Sequence, residues 1–235
     1  MAATRVDLDH VGSTNDWLAT QLDGGPDELW VRADRQTSGR GRRGRVWVSV
    51  PGNLFASVLV RPQPGEGPAQ LLSFVAAVAL RQALEHWAPA ASLRLKWPND
   101  VLLGGTKVAG ILLEGHAGAT IIGIGVNLAG HPADLDRPAT SIAGAGIPAP
   151  TAAEFLDVLV VAFAAVRAEW RRDGFAPIRR RWLAGAAGLG GRIEARLGSE
   201  TICGRFEDIG GDGALILRLD DATVRRIHAG EVFPL

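Results

Sequence analysis

The chain has 235 residues, of which 47% are hydrophobic and 21% are charged, a balance that is typical of a folded globular protein and excludes a disordered chain. Its 25 basic and 25 acidic residues cancel, so overall charge does not direct it to nucleic acid or to an anionic membrane. Cys203 is the only cysteine, which excludes an internal disulfide. The sequence opens without a basic, apolar leader and has no apolar run long enough to span a membrane. We therefore expect a soluble, cytoplasmic protein.

The first part of the chain mixes predicted helices and strands. In chain order we expect a helix over 13–22, strands over 28–33, 46–50 and 53–60, a helix over 69–87, and strands over 93–97, 101–103, 108–114 and 120–126. Pro51-Gly52 supplies turn residues between two of these strands, which predicts a hairpin. The stretch from Gln36 to Arg45 is rich in glycine and arginine and lacks apolar periodicity, which predicts a loop.

The second part changes character near residue 187. After a connection rich in Pro, Gly and Ala over 129–150, Thr151 and Glu154 form a capping box that predicts a helix to about Trp170. A further helix is expected over 177–183. The remainder contains four or five short strand patterns separated by Gly and Asp, which is typical of a small SH3-like barrel. We expect an α+β fold, with one domain over 1–187 and a β-barrel domain over 188–235.

The arginine-glycine loop is the most unusual segment. Gly39-Arg40-Gly41-Arg42-Arg43-Gly44-Arg45 interleaves glycines with four arginines. Glycine allows the backbone to approach a ligand closely, and arginine binds carboxylate or phosphate through a planar set of donors. The loop therefore fits an anionic small molecule. Contact with RNA explains the same composition equally well, so this segment alone leaves both interpretations open.

Four further polar clusters interrupt apolar segments. Lys96-Trp97-Pro98-Asn99-Asp100 separates two predicted strands, Lys107 opens the next strand and Gly110 lies within it. Asn127 ends the following buried strand, and Ser13-Thr14-Asn15 begins the first helix. Each has an ordinary structural explanation, namely a salt bridge, a surface lysine, a turn or a helix cap. Each also offers groups that bind a ligand, and a glycine inside a strand suits a close approach to its backbone.

Taken together and in this order, these segments resemble the biotin protein ligase family. The resemblance runs along almost the whole chain, and it is carried by Ser13-Thr14-Asn15, Gln36 with residues 39–44, residues 96–100, Lys107-Val108-Ala109-Gly110-Ile111-Leu112, and Gly125-Val126-Asn127. It implies a central mixed β-sheet with helices, related to class II aminoacyl-tRNA synthetases and lipoate ligases, followed by the SH3-like barrel.

The resemblance also implies which residues bind biotin. They come from the segments just named: Ser13, Thr14, Asn15, Gln36, Gly39, Arg40, Lys107 and Gly110. The two hydroxyls and the Gln36 amide would hydrogen-bond the ureido ring, and Asn15 would order that segment. The main chain of Gly39 and the side chain of Arg40 would hold the biotin carboxylate.

Nucleotide contacts are implied for a second, overlapping set: Arg40, Gly41, Arg42, Trp47, Asn99, Lys107 and Asn127. Arg42 would bind the ATP phosphates, Trp47 would offer an aromatic face to adenine, and Asn127 would read the amino edge of that base. Lys107 would bridge the biotin carboxylate and the α-phosphate. Lys107 and Arg40 are thus candidate catalytic residues, together with Asp100, which would steer Mg²⁺ or the incoming acceptor lysine.

The implied reaction activates biotin with ATP and Mg²⁺ to biotinyl-5'-AMP and transfers it to a lysine of the biotin carboxyl carrier domain of a carboxylase. Only twelve residues precede Ser13, too few for the DNA-binding domain of bifunctional relatives, so we expect a monofunctional ligase without specific nucleic-acid or membrane binding. A lipoate-protein ligase with the same adenylation chemistry is the nearest alternative. An RNA-binding module is a more distant one, because the loop lacks interleaved aromatic residues.

Overall fold

The computed structural model describes residues 4–63, 66–116, 118–133, 138–198 and 200–235. Within these residues the strands are β1 (Thr4–Val11), β2 (Glu28–Gln36), β3 (Leu54–Val60), β4 (Leu93–Lys96), β5 (Asp100–Leu103), β6 (Thr106–His116), β7 (Ala119–Val126), β8 (Arg192–Arg196), β9 (Thr201–Ile209), β10 (Leu215–Arg218), β11 (Val224–Ile227) and β12 (Glu231–Pro234). The α-helices are α1 (Thr14–Ala19), α2 (Leu72–Leu84), α3 (Ala152–Asp173) and α4 (Phe175–Ala184). None of these helices is both long and apolar enough to cross a membrane.

The first seven strands form one mixed sheet in the order β1-β2-β3-β7-β6-β5-β4. The β1–β2 pair is parallel, and the other neighbours are antiparallel. All seven residues of β3 are buried, as expected for an apolar strand at the centre of a covered sheet. The predicted α+β class with a central mixed sheet is confirmed.

The two faces of this sheet carry different helices. Alternate residues of a strand point to opposite faces, so Val58 and Leu59 of β3 belong to different apolar clusters. Val58 packs in the large core with residues of α2 and α3, whereas Leu59 packs with Leu18 of the short α1. On the α1 face, β7 presents Ile121 and then Gly123. A cleft opens on this face where glycines replace large side chains.

The last five strands form an antiparallel sheet in the order β11-β10-β9-β8-β12. Trp97, in the loop between β4 and β5, donates from Nε1 to the carbonyl oxygen of Gly213, in the turn between β9 and β10 (3.2 Å). The ring of Trp182 on α4 packs edge-on against Phe206 of β9, with centroids 6.5 Å apart. The small all-β region expected at the end of the chain is therefore present and packs against the α+β part.

Most predicted elements are confirmed with shifted ends, and one is wrong. The capping box of Thr151 and Glu154 begins α3 as expected. Residues 46–50 form no strand, and the predicted hairpin with β3 is wrong, because β2 and β7 occupy both edges of β3. Trp47 instead donates its backbone N–H to Gly39 (2.9 Å), so this segment folds onto the arginine-glycine loop. The edge strand β1 was not predicted, and residues 134–137 of the expected connection lie outside the described residues.

Candidate active site

A cleft of about 530 Å³ lies on the α1 face of the mixed sheet. The residues predicted from the sequence to form the site line it, namely Ser13, Thr14, Asn15, Gln36, Arg40, Gly41, Arg42, Trp47, Asn99, Asp100, Lys107, Gly110 and Asn127. Gly39 is not among the described lining residues, and a Cβ atom on it would be 2.6 Å from the carbonyl oxygen of Trp47. The fold therefore brings together segments separated by more than one hundred residues.

The floor of the cleft consists of strand residues without side chains, which we call the glycine floor (Gly110 of β6, Gly123 and Gly125 of β7). A Cβ atom on Gly123 would lie 2.6 Å from Oδ1 of Asn15. A Cβ atom on Gly125 would lie 2.4 Å from the indole of Trp47, and one on Gly110 would lie 3.0 Å from it. The glycines are needed because Asn15 and Trp47 approach the strand backbone within the space of a methyl group.

At one end of the cleft, the start of α1 meets the end of β2. Ser13 caps the helix, and Thr14 donates its backbone N–H to Oε1 of Gln36 (2.8 Å). Because that amide oxygen is occupied, the Gln36 Nε2 donors remain for other partners. Ser57 of β3, fully buried, contacts both Thr14 Oγ1 (2.7 Å) and Asn15 Oδ1 (2.6 Å). This end therefore presents several aligned neutral polar groups.

Arg40 joins the arginine-glycine loop to α1 and β6. Its guanidinium binds Asp16 through two hydrogen bonds of 2.6 and 2.5 Å. It also donates to both carboxylate oxygens of Glu114 (3.1 and 3.2 Å), and Glu114 accepts from Nδ2 of Asn15 as well (2.7 Å). The bonds with Asp16 raise the pKa of Arg40, and the same bonds lower the pKa of Asp16. Arg40 thus fastens the loop to its surroundings.

Arg42 is placed differently, because its hydrogen bonds within the described residues go to neutral acceptors. It donates to Oδ1 of Asn99 (3.3 Å) and to the carbonyl oxygen of Gly230 (3.4 Å). Burial lowers its pKa, and repulsion from Arg43 adds to that effect. The arginine remains a cation, since the pKa of a guanidinium stays far above neutrality. A half-buried cation with neutral partners is suited to bind an anionic ligand.

Lys107 and Asp100 form the charged centre of the cleft. Lys107 Nζ lies 2.6 Å from Oδ1 of Asp100 and 5.4 Å from the centroid of the Trp47 ring. Both side chains are largely shielded from solvent, with 31% and 16% of their surfaces exposed. A Cβ atom on Gly110 would lie 3.1 Å from Lys107 Nζ, so the glycine leaves room for the ammonium group above the floor.

Asn127 lies at the other end of the glycine floor. Its Nδ2 donates to the carbonyl oxygen of Thr140 (2.9 Å), and its Oδ1 accepts from Nδ2 of Asn53 (3.3 Å). Asn53 holds this end together, because its own Oδ1 accepts from the three successive backbone N–H groups of residues 128–130. One Nδ2 proton of Asn127 remains for a ligand.

The second sheet closes one side of the cleft. Arg45 of the loop forms an ion pair with Glu231 of β12. Phe233 of β12 lies between two cations, with Lys96 Nζ 5.0 Å and the Arg196 guanidinium 4.3 Å from its ring centroid. These contacts make the barrel a wall of the site.

The electrostatics of the cleft favour an anion. Six basic side chains and two acidic ones line it among the described residues: Arg40, Arg42, Arg45, Lys96, Lys107 and Arg196 against Asp100 and Glu231. Within the same residues, no three His, Cys, Asp or Glu side chains are grouped as a metal site. The excess of basic side chains suits an anionic ligand.

Several residues of this site were not predicted. Asp16 and Glu114 anchor Arg40, and Asn53 orders the Asn127 end. Ser57 carried a visible signal, because it is the one polar residue in the apolar segment LFASVLV. The barrel residues carried none, since their approach to the cleft depends on how the two sheets pack.

The comparisons with known proteins decide the family. Residues 9–130 match the model of the Biotin/lipoate A/B protein ligase family, and residues 188–233 match the Biotin protein ligase C terminal domain. A biotin--[acetyl-CoA-carboxylase] ligase of Paracoccus denitrificans is 49% identical, over 92% of this chain and 93% of its own length. This chain belongs to the biotin protein ligase family.

Other members of the family agree with this assignment. A biotin--[acetyl-CoA-carboxylase] ligase of Mycobacterium tuberculosis is 33% identical, over 95% of this chain and 86% of its own length. Among solved structures, the biotin protein ligase of Aquifex aeolicus in complex with biotin and ATP has a TM-score of 0.84 at 26% identity, with 99% of each chain covered. The described residues of both domains therefore share the fold of this biotin protein ligase.

Proposed function

We propose that this chain is an ATP-dependent biotin protein ligase, which converts biotin to biotinyl-5'-AMP and transfers it to a lysine of a biotin carboxyl carrier domain. The observation that carries the proposal is the order of chemical groups along β7. Asn15 lies over Gly123, Trp47 and the Lys107 ammonium lie over the next floor position at Gly125 and Gly110, and Asn127 follows. Along β7 the cleft thus presents first neutral polar groups near Asn15, then the Lys107 cation, and finally the buried amide of Asn127.

This order matches biotinyl-5'-AMP read from its head group to its base. Gly123 of β7 and Asn127 just after this strand are four residues apart, which corresponds to about 13 Å at about 3.3 Å per residue. The cleft is therefore long enough to hold several chemical groups in a row. The ureido ring would occupy the end at Thr14 and Gln36, and the adenine would lie at Asn127. The mixed anhydride would lie between them, beside Lys107 and Arg42. Trp47, which we expected to offer its face to adenine, lies over Gly125 and Gly110, so we propose instead that it covers the acyl chain and the anhydride.

In the first step the biotin carboxylate attacks the α-phosphate of ATP, and these two anions repel each other. Lys107 and Arg42 would reduce that repulsion and stabilise the charge that grows on the phosphate oxygens and on pyrophosphate. Arg40 was expected to hold the biotin carboxylate, but its guanidinium hydrogen-bonds Asp16 and Glu114, so we propose that it holds the loop over the reactants. Positioning and charge stabilisation suffice, because the attacking group belongs to the substrate.

ATP would enter as its magnesium complex. Magnesium prefers oxygen ligands and usually combines one or two carboxylates with substrate phosphates and water. Asp100 lines the cleft with Asn99 beside it, and its carboxylate fits this description. When bound, the ion would neutralise phosphate charge during the first step.

In the second step the acceptor lysine attacks the anhydride and AMP leaves. The attacking amine must lose a proton, and Asp100 is the candidate group to receive it once Lys107 has turned to the phosphate. The loop, held to α1 by Arg40 and to the barrel by Arg45, would keep water from the anhydride. We propose a biotin carboxyl carrier domain of acetyl-CoA carboxylase as the partner and the cytoplasm, where ATP is plentiful, as the location.

The test is biotin-dependent exchange of labelled pyrophosphate into ATP. We expect exchange with the wild-type protein and a loss of at least about 100-fold in Lys107→Ala and Arg42→Ala, the size typical for removing one group that stabilises transition-state charge. Arg172→Ala, which removes an exposed arginine paired with Asp173 on α3, serves as the matched control and should retain wild-type exchange.

The same assay separates the alternatives. Exchange that requires lipoate instead of biotin would assign the chain to the lipoate branch of the family. Absence of exchange with both acids would overturn the ligase proposal. Normal exchange in Lys107→Ala would leave the ligase activity standing and remove Lys107 from the adenylation step.

A further inference from the structure

Three arginines lie side by side on the outer face of the barrel, and we call them the arginine row (Arg192 of β8, Arg205 of β9 and Arg218 of β10). Arg205 is the registered partner of Arg192 on one side and of Arg218 on the other. All three are exposed, whereas Gly204 and Phe206 on either side of Arg205 are buried. Side chains directly opposite each other on neighbouring strands are about 5 Å apart, and like charges there are destabilising. The row therefore needs anions beside it.

Two of the three charges are compensated within the chain. Arg192 forms an ion pair with Asp220, and Arg218 forms one with Glu207. Arg205, at the centre of the row, has no hydrogen bond or ion pair with any residue that the structure describes. The row thus keeps one uncompensated positive charge at an exposed position, which suits a negatively charged partner.

A groove of about 960 Å³ borders Arg205, between the barrel and the start of α4. Its apolar surface comes from Phe175, Ile216 and Val224, and Val224 is 47% exposed. Two acidic residues, Glu207 and Asp208, also line it. A uniformly negative chain such as RNA would meet these carboxylates, whereas a protein surface can present separate acidic and apolar residues. The groove therefore favours a protein partner.

The same face of the barrel continues to the mouth of the active-site cleft. Arg196, four residues beyond Arg192 on β8, lines that cleft, as does Phe233 of the neighbouring β12. Side chains an even number of residues apart share one face of a strand, and four residues span about 13 Å. A domain of about 100 residues has a radius of gyration of about 13 Å. An acceptor domain whose lysine entered the cleft would therefore extend as far as the arginine row.

We propose that the outer face of the barrel, with Arg205 at its centre, is a docking surface for an acidic patch on the domain that receives biotin. That domain would place carboxylates beside Arg205 and an apolar side chain in the groove at Val224 while its lysine reaches the anhydride. The inference rests on the proposed function, because it takes a biotin-accepting domain as the partner. Arg205 lies outside the cleft, so its substitution should affect transfer and leave adenylation unchanged.

The experiment separates the two half-reactions. Biotin-dependent pyrophosphate exchange reports adenylation and needs no acceptor. Single-turnover transfer from biotinyl-5'-AMP to a purified biotin carboxyl carrier domain of acetyl-CoA carboxylase reports docking, through the carrier concentration that gives half of the maximal rate. In Arg205→Glu we expect wild-type exchange and a rise in that concentration by about tenfold or more, because like charges then face each other across the interface. Added salt should raise the same concentration in the wild type, since it screens the attraction.

A purely structural role for Arg205 would give the opposite pattern. A glutamate between Arg192 and Arg218 replaces repulsion by attraction, so Arg205→Glu should be at least as stable as the wild type in denaturant unfolding although its transfer is impaired. Arg180→Glu is the matched control. Arg180 is an exposed arginine of α4 that also lacks an ion pair among the described residues and does not line the groove. This variant should transfer biotin as the wild type does.

Val224→Ser tests the apolar part of the surface and should raise the half-saturating carrier concentration by about threefold or more. Unchanged transfer in Arg205→Glu or in Val224→Ser would overturn the inference and leave the ligase activity standing. Loss of RNA binding in Arg205→Glu, with unchanged transfer, would also overturn it and assign the face to nucleic acid. Absence of exchange in the wild type would instead overturn the proposed function.

Discussion

Arg40 and Arg42 are two residues apart in the same loop, yet their different hydrogen-bond partners indicate different roles. Arg40 makes four hydrogen bonds with the carboxylates of Asp16 and Glu114. Arg42 meets the neutral oxygens of Asn99 and Gly230. The charge of Arg40 is thus compensated within the protein, and that of Arg42 is available to a ligand. Substitution of Arg40 should therefore disturb loop position, and substitution of Arg42 should disturb charge stabilisation.

The Arg40–Asp16 pair predicts a defined pH dependence. Because Arg40 lowers the pKa of Asp16 below its ordinary value, the pair stabilises the folded protein fully above about pH 4, the ordinary value of an aspartate. That contribution is lost as the pH falls through the lowered pKa. Carbon-detected NMR should therefore give a lower titration midpoint for Asp16 in the wild type than in Arg40→Ala.

The stability difference between these two proteins supplies the check. It should be constant from pH 5 to 8 and should shrink only in acid, since both proteins then carry a protonated Asp16. Equal midpoints in the two proteins would mean that the pair does not form in solution.

At the scale of elements, β6 and β7 form the glycine floor of the cleft. Their glycines lie where the side chains of Asn15 and Trp47 pack against the sheet. Glycine weakens a strand, yet β7 keeps its place because β3 and β6 flank it on both sides. The cost in local stability is offset by pairing along two edges.

Gly125→Ala tests the floor. A methyl group there would lie 2.4 Å from the Trp47 indole, so the ring must move, and displacements near 1 Å in a site can cost about 100-fold in rate. We expect kcat/KM for biotin to fall by about tenfold to 100-fold in steady-state adenylation assays. Gly115→Ala on β6, where no atom lies within 4 Å of the added methyl, should behave as wild type. Equal kinetics for both variants would contradict the packing of the Trp47 ring against Gly125.

Elements with strong local signals were predictable from the sequence, and elements defined by their partners were not. The capping box located the start of α3, and the apolar runs located β3 and β7. Residues 46–50 read as a strand but found no free sheet edge. β1 alternates Arg5, Asp7 and Asp9 with Val6 and Leu8, which pack on the apolar cluster; this alternation indicates a strand, and our prediction omitted it. Motif residues were likewise visible, but Glu114 and Asn53 act through distant contacts that no local pattern encodes.

At the scale of the whole molecule, the barrel is tied to the site at several points. Arg45 pairs with Glu231, Arg42 donates to the carbonyl oxygen of Gly230, and Trp97 donates to that of Gly213. Two of these bonds start from the arginine-glycine loop. The position of the barrel therefore determines how that loop lies over the cleft.

Glu231→Gln should loosen the loop without unfolding the barrel. Loss of the charge on Glu231, which is 13% exposed, removes the partner of Arg45. We expect the KM for ATP to rise by about threefold to tenfold, as for loss of one partly shielded charged hydrogen bond, together with faster proteolysis within residues 40–46. Glu207→Gln, which breaks a similar pair with Arg218 inside the barrel, should change neither. Unchanged kinetics in Glu231→Gln would mean that the ion pair with the barrel does not hold the loop over the cleft.

The glycine floor also limits how this enzyme could be redesigned. Designers usually enlarge a pocket by trimming side chains, and Gly110, Gly123 and Gly125 leave nothing to trim from below. Bulkier carboxylic acids can gain space only from above, where Trp47 rests on two of these glycines. A library aimed at new labels should therefore vary Trp47 and its neighbours Val46 and Val48, which line the cleft and are exposed, and leave β6 and β7 untouched.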